Sequence, residues 1–274
     1  MILSCFKFSG LGNKIIIVDL IKQNLEPNEE IIKKIAQQTK FDQLLTIEPP
    51  KSPDTDLSTS IFNVDGSIAE SCINGARCLT KFILEKNLLN KNIFLVSTES
   101  DVWKLGKEDS ENFFVEMGGP DFDKNKELLP KEKDNGLHKL SFSDLPPIEV
   151  GFVNIGNPHC VNFTDHINTE LLEGWGKELQ SSNYFPNGVN LGLAKIKSRN
   201  SLNLRVYERG AGETEACGSG ACASVVLGNK YGLLDNNVEV FFKSGSLKIS
   251  YSEKENVIKA VGKAKYIEEI NIDL

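Results

Sequence analysis

The sequence predicts an α+β protein of two similar domains related by a pseudo-twofold axis, each mostly sheet around one rather buried helix. Three observations predict it. The segment Ala69-Glu-Ser-Cys72-Ile-Asn-Gly-Ala-Arg-Cys78 returns as Thr214-Glu-Ala-Cys217-Gly-Ser-Gly-Ala-Cys222 at an offset of 145 residues (217 − 72). At that offset Glu70 matches Glu215, Gly75 matches Gly220, Leu88-Leu89 matches Leu233-Leu234 and Asn92 matches Asn237. Each half also carries several strand-like runs and one helix of small and apolar residues. A chain of 274 residues has room for two domains of ordinary size. The boundaries expected are 1–117 for the first domain, with a strand over 263–274 returning to it, and 118–262 for the second.

The elements follow in order. Phe6 to Leu20 reads as two strands joined by a turn at Gly10-Leu-Gly-Asn13, the second strand running through Ile15 to Val18. Glu29 to Lys40 reads as a helix, with Ile31, Ile32, Ile35 and Ala36 on one face. Gln43 to Ile47 is a short strand stopped by Pro49-Pro50, and Ser60 to Val64 is another, ending at the Asp65-Gly66 turn. Asn74 to Lys86 suits a largely buried helix. Ile93 to Ser97 and Phe113 to Met117 are strands. Residues 121–147, rich in Lys, Asp, Glu and Pro, read as a solvated connection with one short strand at most. In the second half Val150 to Ile155 and Leu202 to Tyr207 are strands. Ser219 to Tyr231 is a helix, and Val238 to Phe242, Leu247 to Tyr251 and Val257 to Val261 are strands.

Composition narrows the classes of function. With 40% hydrophobic and 25% charged residues the chain is an ordinary soluble protein. Its net charge of −7 and the lack of a basic stripe argue against nucleic acid. No apolar run approaches the roughly 20 residues of a membrane span, and the N-terminus lacks the order of a signal peptide. A cytoplasmic protein is expected. Its six cysteines are then expected to be free. The spacings Cys72-x5-Cys78 and Cys217-x4-Cys222, with only three histidines, do not suit zinc. No metal and no cofactor are expected, since no pyridoxal-phosphate or phosphate-binding signature is present. Cys5, Cys78, Cys160 and Cys222 read as small buried apolar residues.

Cys72 and Cys217 read differently, because each stands in the same frame at a helix start. A helix N-terminus directs N–H groups and a positive dipole end at an anion, for which a substrate carboxylate is the natural candidate. The same end favours thiolate. Two thiols facing one carbon suit a reaction that takes a proton from one side and returns it to the other. Arg209, one of the chain's four arginines, suits a carboxylate clamp. Arg77 reads as structural, pairing near the helix. His159 and Glu208 are candidates to tune a thiol, with a structural role as the even alternative for each. His138 and His166 read as surface residues.

Taken together, these stretches closely resemble diaminopimelate epimerase. They are Gly10-Leu-Gly-Asn13, Phe41-Asp-Gln43, Phe62-Asn63 through Asp65-Gly-Ser67, and Ala69 through Cys78. They continue with Gly156-Asn-Pro-His159, Phe185-Pro-Asn-Gly-Val-Asn190, and Glu208-Arg-Gly-Ala-Gly-Glu-Thr through Gly220. The resemblance implies rolled mixed sheets around central helices, with an active site between the domains. It implies interconversion of LL- and meso-2,6-diaminopimelate, without cofactor or metal, in lysine and peptidoglycan precursor synthesis. It further implies that Cys72 and Cys217 are the catalytic acid and base, and that His159 and Glu208 modulate their pKa. The substrate positions it implies are Asn13, Gln43, Asn63, Ile73, Asn74, Asn157, Asn190, Glu208, Arg209, Gly218 and Ser219. A homodimer is the assembly it implies. The chain departs from the family at Ile73, where glycine is usual, at Lys14, where an acidic residue is common, and at Ser9, where histidine is common; Ser219 stands for a frequent threonine.

Two rival readings stay open at this level. One is a proline or hydroxyproline racemase or epimerase of the same fold. The other is a binding or thiol redox protein using Cys72 and Cys217.

Overall fold

A computed structural model describes every residue except Met1, Asn125 and Glu127. It divides into two compact units, Met1–Gly118 with Val261–Leu274, and Gly119–Ala260. The fold is a two-domain α+β fold of mixed sheets with few helices.

In the first unit, β1 (Ile2–Gly10) and β2 (Asn13–Asp19) form a hairpin in which Gly10 pairs with Asn13. The turn between them places Leu11 and Gly12 at positive φ, 54° and 84°, which glycine tolerates freely. Helix α1 (Glu29–Gln38) starts where the Asn28 side chain accepts from the Ile31 N–H, and it buries Ile32 and Ile35. β3 (Gln43–Ile47) then runs parallel to β2, β4 (Leu57–Ser58) is short, and β5 (Ile61–Asn63) pairs antiparallel with β3. Helix α2 (Ile73–Glu85) buries ten residues, including Asn74 and Arg77, and packs against β1, β2 and β3. β6 (Ile93–Ser97), β7 (Val102–Lys107) and β8 (Asn112–Gly118) form an antiparallel meander whose last two strands also cover α2.

In the second unit, β9 (His138–Leu140) and β10 (Ile148–Asn154) pair antiparallel, and β11 (Pro158–Phe163) follows after a turn at Gly156. Helix α3 (Thr169–Gln180) is capped by Asn168 and buries Leu172, Trp175 and Leu179. β12 (Asn190–Ser198) returns parallel to β11, and β13 (Ser201–Glu208) and β14 (Gly212–Glu213) continue the sheet antiparallel. Helix α4 (Gly218–Lys230) is buried from Gly218 to Gly228 and packs on β10, β11, β12 and on β16 (Gly245–Ser252), which pairs with β15 (Asn237–Phe242). β17 (Val257–Lys263) follows, and β18 (Lys265–Asp273) pairs antiparallel with β1 in the first unit.

Several elements differ from the sequence reading. α3, β7, β11 and β12 were not anticipated. For α3 the signals were present: an Asn cap, then Leu171, Leu172, Trp175 and Leu179 at helical spacing. β11 begins on a proline, which is tolerated as the first residue of a strand but hides it. Among the described residues of 121–147 there is one short strand, β9, but His138 at its start is buried rather than on the surface. Its Nδ1 lies 2.6 Å from the Pro130 carbonyl and its Nε2 lies 3.6 Å from Glu132 Oε1, so neighbouring polar groups offset its burial. His166 is exposed, as expected.

No helix of the described residues is long and apolar enough to cross a membrane, and no cluster of metal-binding side chains occurs among them. All six cysteines are buried, and none forms a disulfide.

Candidate active site

Each unit carries a cysteine as the N-cap of its buried helix. In the first unit Cys72 adopts φ −146° and ψ 88°, its carbonyl accepts from Ala76 N–H at 2.8 Å, and its Sγ accepts from Gly75 N–H at 3.1 Å. In the second, Cys217 adopts φ −112° and ψ 110°, its carbonyl accepts from Ala221 N–H at 3.0 Å, and its Sγ accepts from Gly220 N–H at 3.4 Å. The sulfur thus takes the place of a serine or aspartate oxygen at a cap. The glycine that donates to it is forced by packing in unit one. A Cβ at Gly75 would lie 2.6 Å from Leu45 Cδ1 and 2.9 Å from Cys72 Sγ.

The repeat extends to the segment entering each cap. Ser100 Oγ donates to the Glu70 carbonyl at 3.2 Å, and Ser244 Oγ donates to the Glu215 carbonyl at 3.3 Å. Each serine ties down the backbone two residues before its cysteine. Sequence reasoning passed over both, although they stand at nearly the offset of the cysteines.

Around Cys72, the first helical residues Ile73 and Asn74 are buried. Arg77, fully buried, donates from Nη1 to the Ile73 carbonyl at 3.0 Å and from Nη2 to Asn74 Oδ1 at 2.7 Å. Gly10 presses on the same residue, since a Cβ there would meet the Asn74 carbonyl oxygen at 2.9 Å. The hairpin therefore brings Asn13 to this helix start, with its Oδ1 buried and without a hydrogen-bond partner. Gln43 pairs with Asn63 across β3 and β5, and Asn63 Nδ2 donates to Ser67 Oγ at 3.0 Å. Asn13, Gln43, Asn63, Ile73 and Asn74 all belong to this unit.

Around Cys217, His159 and Asn190 are paired across β11 and β12. Asn190 Nδ2 donates to the Pro158 carbonyl at 3.0 Å, and its Oδ1 accepts from Arg209 N–H at 2.9 Å. The Asn190 amide thus joins the Pro158 turn to the Arg209 loop. His159 Nε2 lies 2.9 Å from Asn157 Oδ1, while Nδ1 is buried without a partner. Burial, and then the Arg209 charge, push the His159 pKa down to about 3, so the ring is neutral at ordinary pH. Glu208 accepts from the Thr214 hydroxyl. Ser219 Oγ is 3.5 Å from Cys217 Sγ.

The charge state of Cys217 departs from the sequence expectation that a helix start favours thiolate. Burial is the largest cause and holds the thiol well above its usual pKa, and the Glu208 charge adds to this. The Ser219 hydroxyl and Gly220 N–H oppose both and are outweighed. Two structural cysteines show the same cause without any opposing cap: burial pushes Cys5 and Cys78 up to about 12.

The arrangement in each unit is a thiol, first-turn N–H groups and polar side chains gathered at a helix start, which suits proton transfer beside a bound carboxylate.

Solved proteins share this fold. A hydroxyproline epimerase from Agrobacterium vitis matches with a TM-score of 0.76 at 9% identity, over 100% of this chain and 93% of that one. A probable proline racemase from Agrobacterium radiobacter matches with 0.74 at 12% identity, over 99% and 93%. A phenazine biosynthesis protein of the PhzF family from Bacillus anthracis matches with 0.66 at 17% identity, over 100% of both chains. At these identities the likeness is one of fold, shared with racemases and epimerases.

The family model that matches the chain makes the protein an enzyme of the isomerase class with epimerase-type chemistry. The family model of diaminopimelate epimerase matches residues 5–122 and 151–267, and the chain belongs to that family.

Proposed function

We propose that the protein interconverts LL- and meso-2,6-diaminopimelate by a cofactor-independent, two-base proton transfer between Cys72 and Cys217, serving lysine and peptidoglycan precursor synthesis in the cytoplasm. The observation that carries the reading is the shared cap: both cysteines terminate a buried helix, and each sulfur accepts an N–H from the glycine three residues on.

One cysteine, as thiolate, removes the α-proton from one face, and the thiol of the other returns a proton to the opposite face. The carboxylate beside the reacting carbon gathers negative charge as the proton leaves. The first-turn N–H groups of Ile73, Asn74, Gly218 and Ser219, with two helix dipoles behind them, stabilise that charge. Burial and the Glu208 charge favour the thiol form of Cys217, and the two cysteines exchange the roles of acid and base with the direction of reaction. Arg209, Asn13, Asn63, Asn157 and Asn190 recognise the distal amino acid end. Gln43 is assigned to the same substrate recognition.

A proline racemase is the second reading, kept because solved neighbours of the same fold act on proline-type rings by their names. A small ring has no second amino acid end, so it leaves Arg209 and the asparagines without a task. Deuterium uptake from heavy water by purified, reduced protein decides. LL-diaminopimelate should acquire deuterium at the α-carbon while proline does not. Exchange into proline alone would reverse the assignment.

A further inference from the structure

Glu208 ends β13, and the chain turns back at once. Gly210 and Gly212 take positive φ, 74° and 80°, and no atom lies within 4 Å of a Cβ built at either, so conformation rather than space requires glycine there. The return strand β14 pairs Glu213 with Tyr207 and Gly212 with Glu208, and Thr214 N–H then donates to the Val206 carbonyl at 3.3 Å. Adjacent residues of the return strand take different partners. Glu213 is held by Arg205, whose Nε lies 2.7 Å from its Oε1, and by Lys243 at 3.0 Å. Thr214 donates its hydroxyl to Glu208 Oε1. Glu208 is also the carboxylate whose charge raises the Cys217 pKa, and Val206, two residues earlier on the same strand, packs against Gly220 beside the Cys217 sulfur.

We infer that Thr214 is a positioning residue: its hydroxyl holds the Glu208 carboxylate at the Cys217 sulfur, and the ion-paired β13–β14 hairpin holds Thr214 in place. This rests on the reading of Cys217 as a catalytic thiol. A carboxylate restrained on one oxygen presents the other in a fixed direction. Without that restraint, the part-exposed Glu208 side chain can turn toward water and away from the sulfur. The other groups acting on the thiol are the Ser219 hydroxyl and the Gly220 N–H, which favour thiolate. Arg209 follows Glu208 in the chain, and neutral His159 pairs across β11 and β12 with Asn190, whose Oδ1 accepts from the Arg209 N–H. Thr214 acts on Cys217 through Glu208.

The test needs no substrate. The full-length, reduced protein is alkylated with iodoacetamide at pH 8, and the rates at Cys217 and Cys72 are read from their separate peptides by mass spectrometry. Their ratio cancels changes in general opening. Glu208→Gln should raise the Cys217/Cys72 ratio about tenfold by removing the charge. Thr214→Val and Thr214→Ala should raise it about threefold, and Thr214→Ser should restore the parental ratio. A parental ratio in both Thr214→Val and Thr214→Ala, beside a raised ratio in Glu208→Gln, would leave Thr214 a mere hairpin residue and overturn the inference. A parental ratio in Glu208→Gln would overturn it as well. Failure of deuterium uptake into diaminopimelate would defeat the substrate assignment without altering this ratio.

Discussion

Arg77 Nη2 donates to Asn74 Oδ1 at 2.7 Å, with both side chains buried at the start of α2. The guanidinium therefore fixes the amide: its oxygen faces the arginine, and its N–H₂ edge is turned away. An i, i+3 contact on one helix thus orients a polar group beside Cys72. Arg77→Met should lower the unfolding free energy by about 3 kcal/mol, since two charge-assisted hydrogen bonds are lost in a dry site. Denaturant titration reads this, and a loss below about 0.5 kcal/mol would contradict it.

The two thiols are expected to be equally indispensable to turnover. Cys72→Ala and Cys217→Ala should each reduce epimerisation by at least ~10³-fold, the range for losing a general acid or base. The assay is interconversion of LL- and meso-diaminopimelate followed by chiral chromatography. Near-parental turnover in either variant would end the two-base scheme.

His159 links the site to acid stability. Its pKa falls from 6.5 to about 3 on folding. Between those values the unfolded chain binds a proton that the folded chain refuses, so stability falls as pH drops from 6.5 toward 3. His159→Gln removes this dependence. Plotted against pH, the thermal midpoint of the variant should fall less steeply over that window than that of the parent. Parallel curves would show that His159 is not buried neutral.

Gly75 tests the cap itself. A methyl group there would enter the space of Leu45 and the Cys72 sulfur. Gly75→Ala should cost about 1–3 kcal/mol of stability from overpacking and should slow turnover by displacing the sulfur. Gly212→Ala is a useful contrast. It meets no atom within 4 Å, so its cost is confined to the strain of a positive φ.

Asn190 joins two loops of the second unit. Asn190→Asp keeps an acceptor for Arg209 N–H but loses the donor to the Pro158 carbonyl, and it buries a charge. It should destabilise the protein more than Asn190→Ala, which leaves the two backbone groups unpaired without adding a charge. Equal thermal midpoints for the two variants would argue that solvent reaches the site.

Much of this site was legible in the chain because its signals are local. A cysteine followed by small residues and a buried helical run marks an N-cap in either half, and the caps at Cys72 and Cys217 lie where the repeat puts them. The glycine turns at Gly12 and Gly156 need positive φ, which the sequence can announce. The paired serine tethers were hidden because a side chain reaching a carbonyl 29 or 30 residues away leaves no periodic trace. α3 was hidden for a different reason: α1 holds the same place between parallel strands in the first unit, but not at the offset that aligns the cysteines.

The sequence by itself determined the α+β plan, the duplicated cysteine frame and the family, because repeats, caps and hydrophobic periods are written in adjacent residues. The tertiary structure decided the charges. Whether Cys217 is thiol or thiolate, whether His159 carries a proton and whether His138 meets water depend on desolvation and on groups brought from distant positions. At Cys217 the helix start favours thiolate, but burial and the Glu208 carboxylate outweigh it.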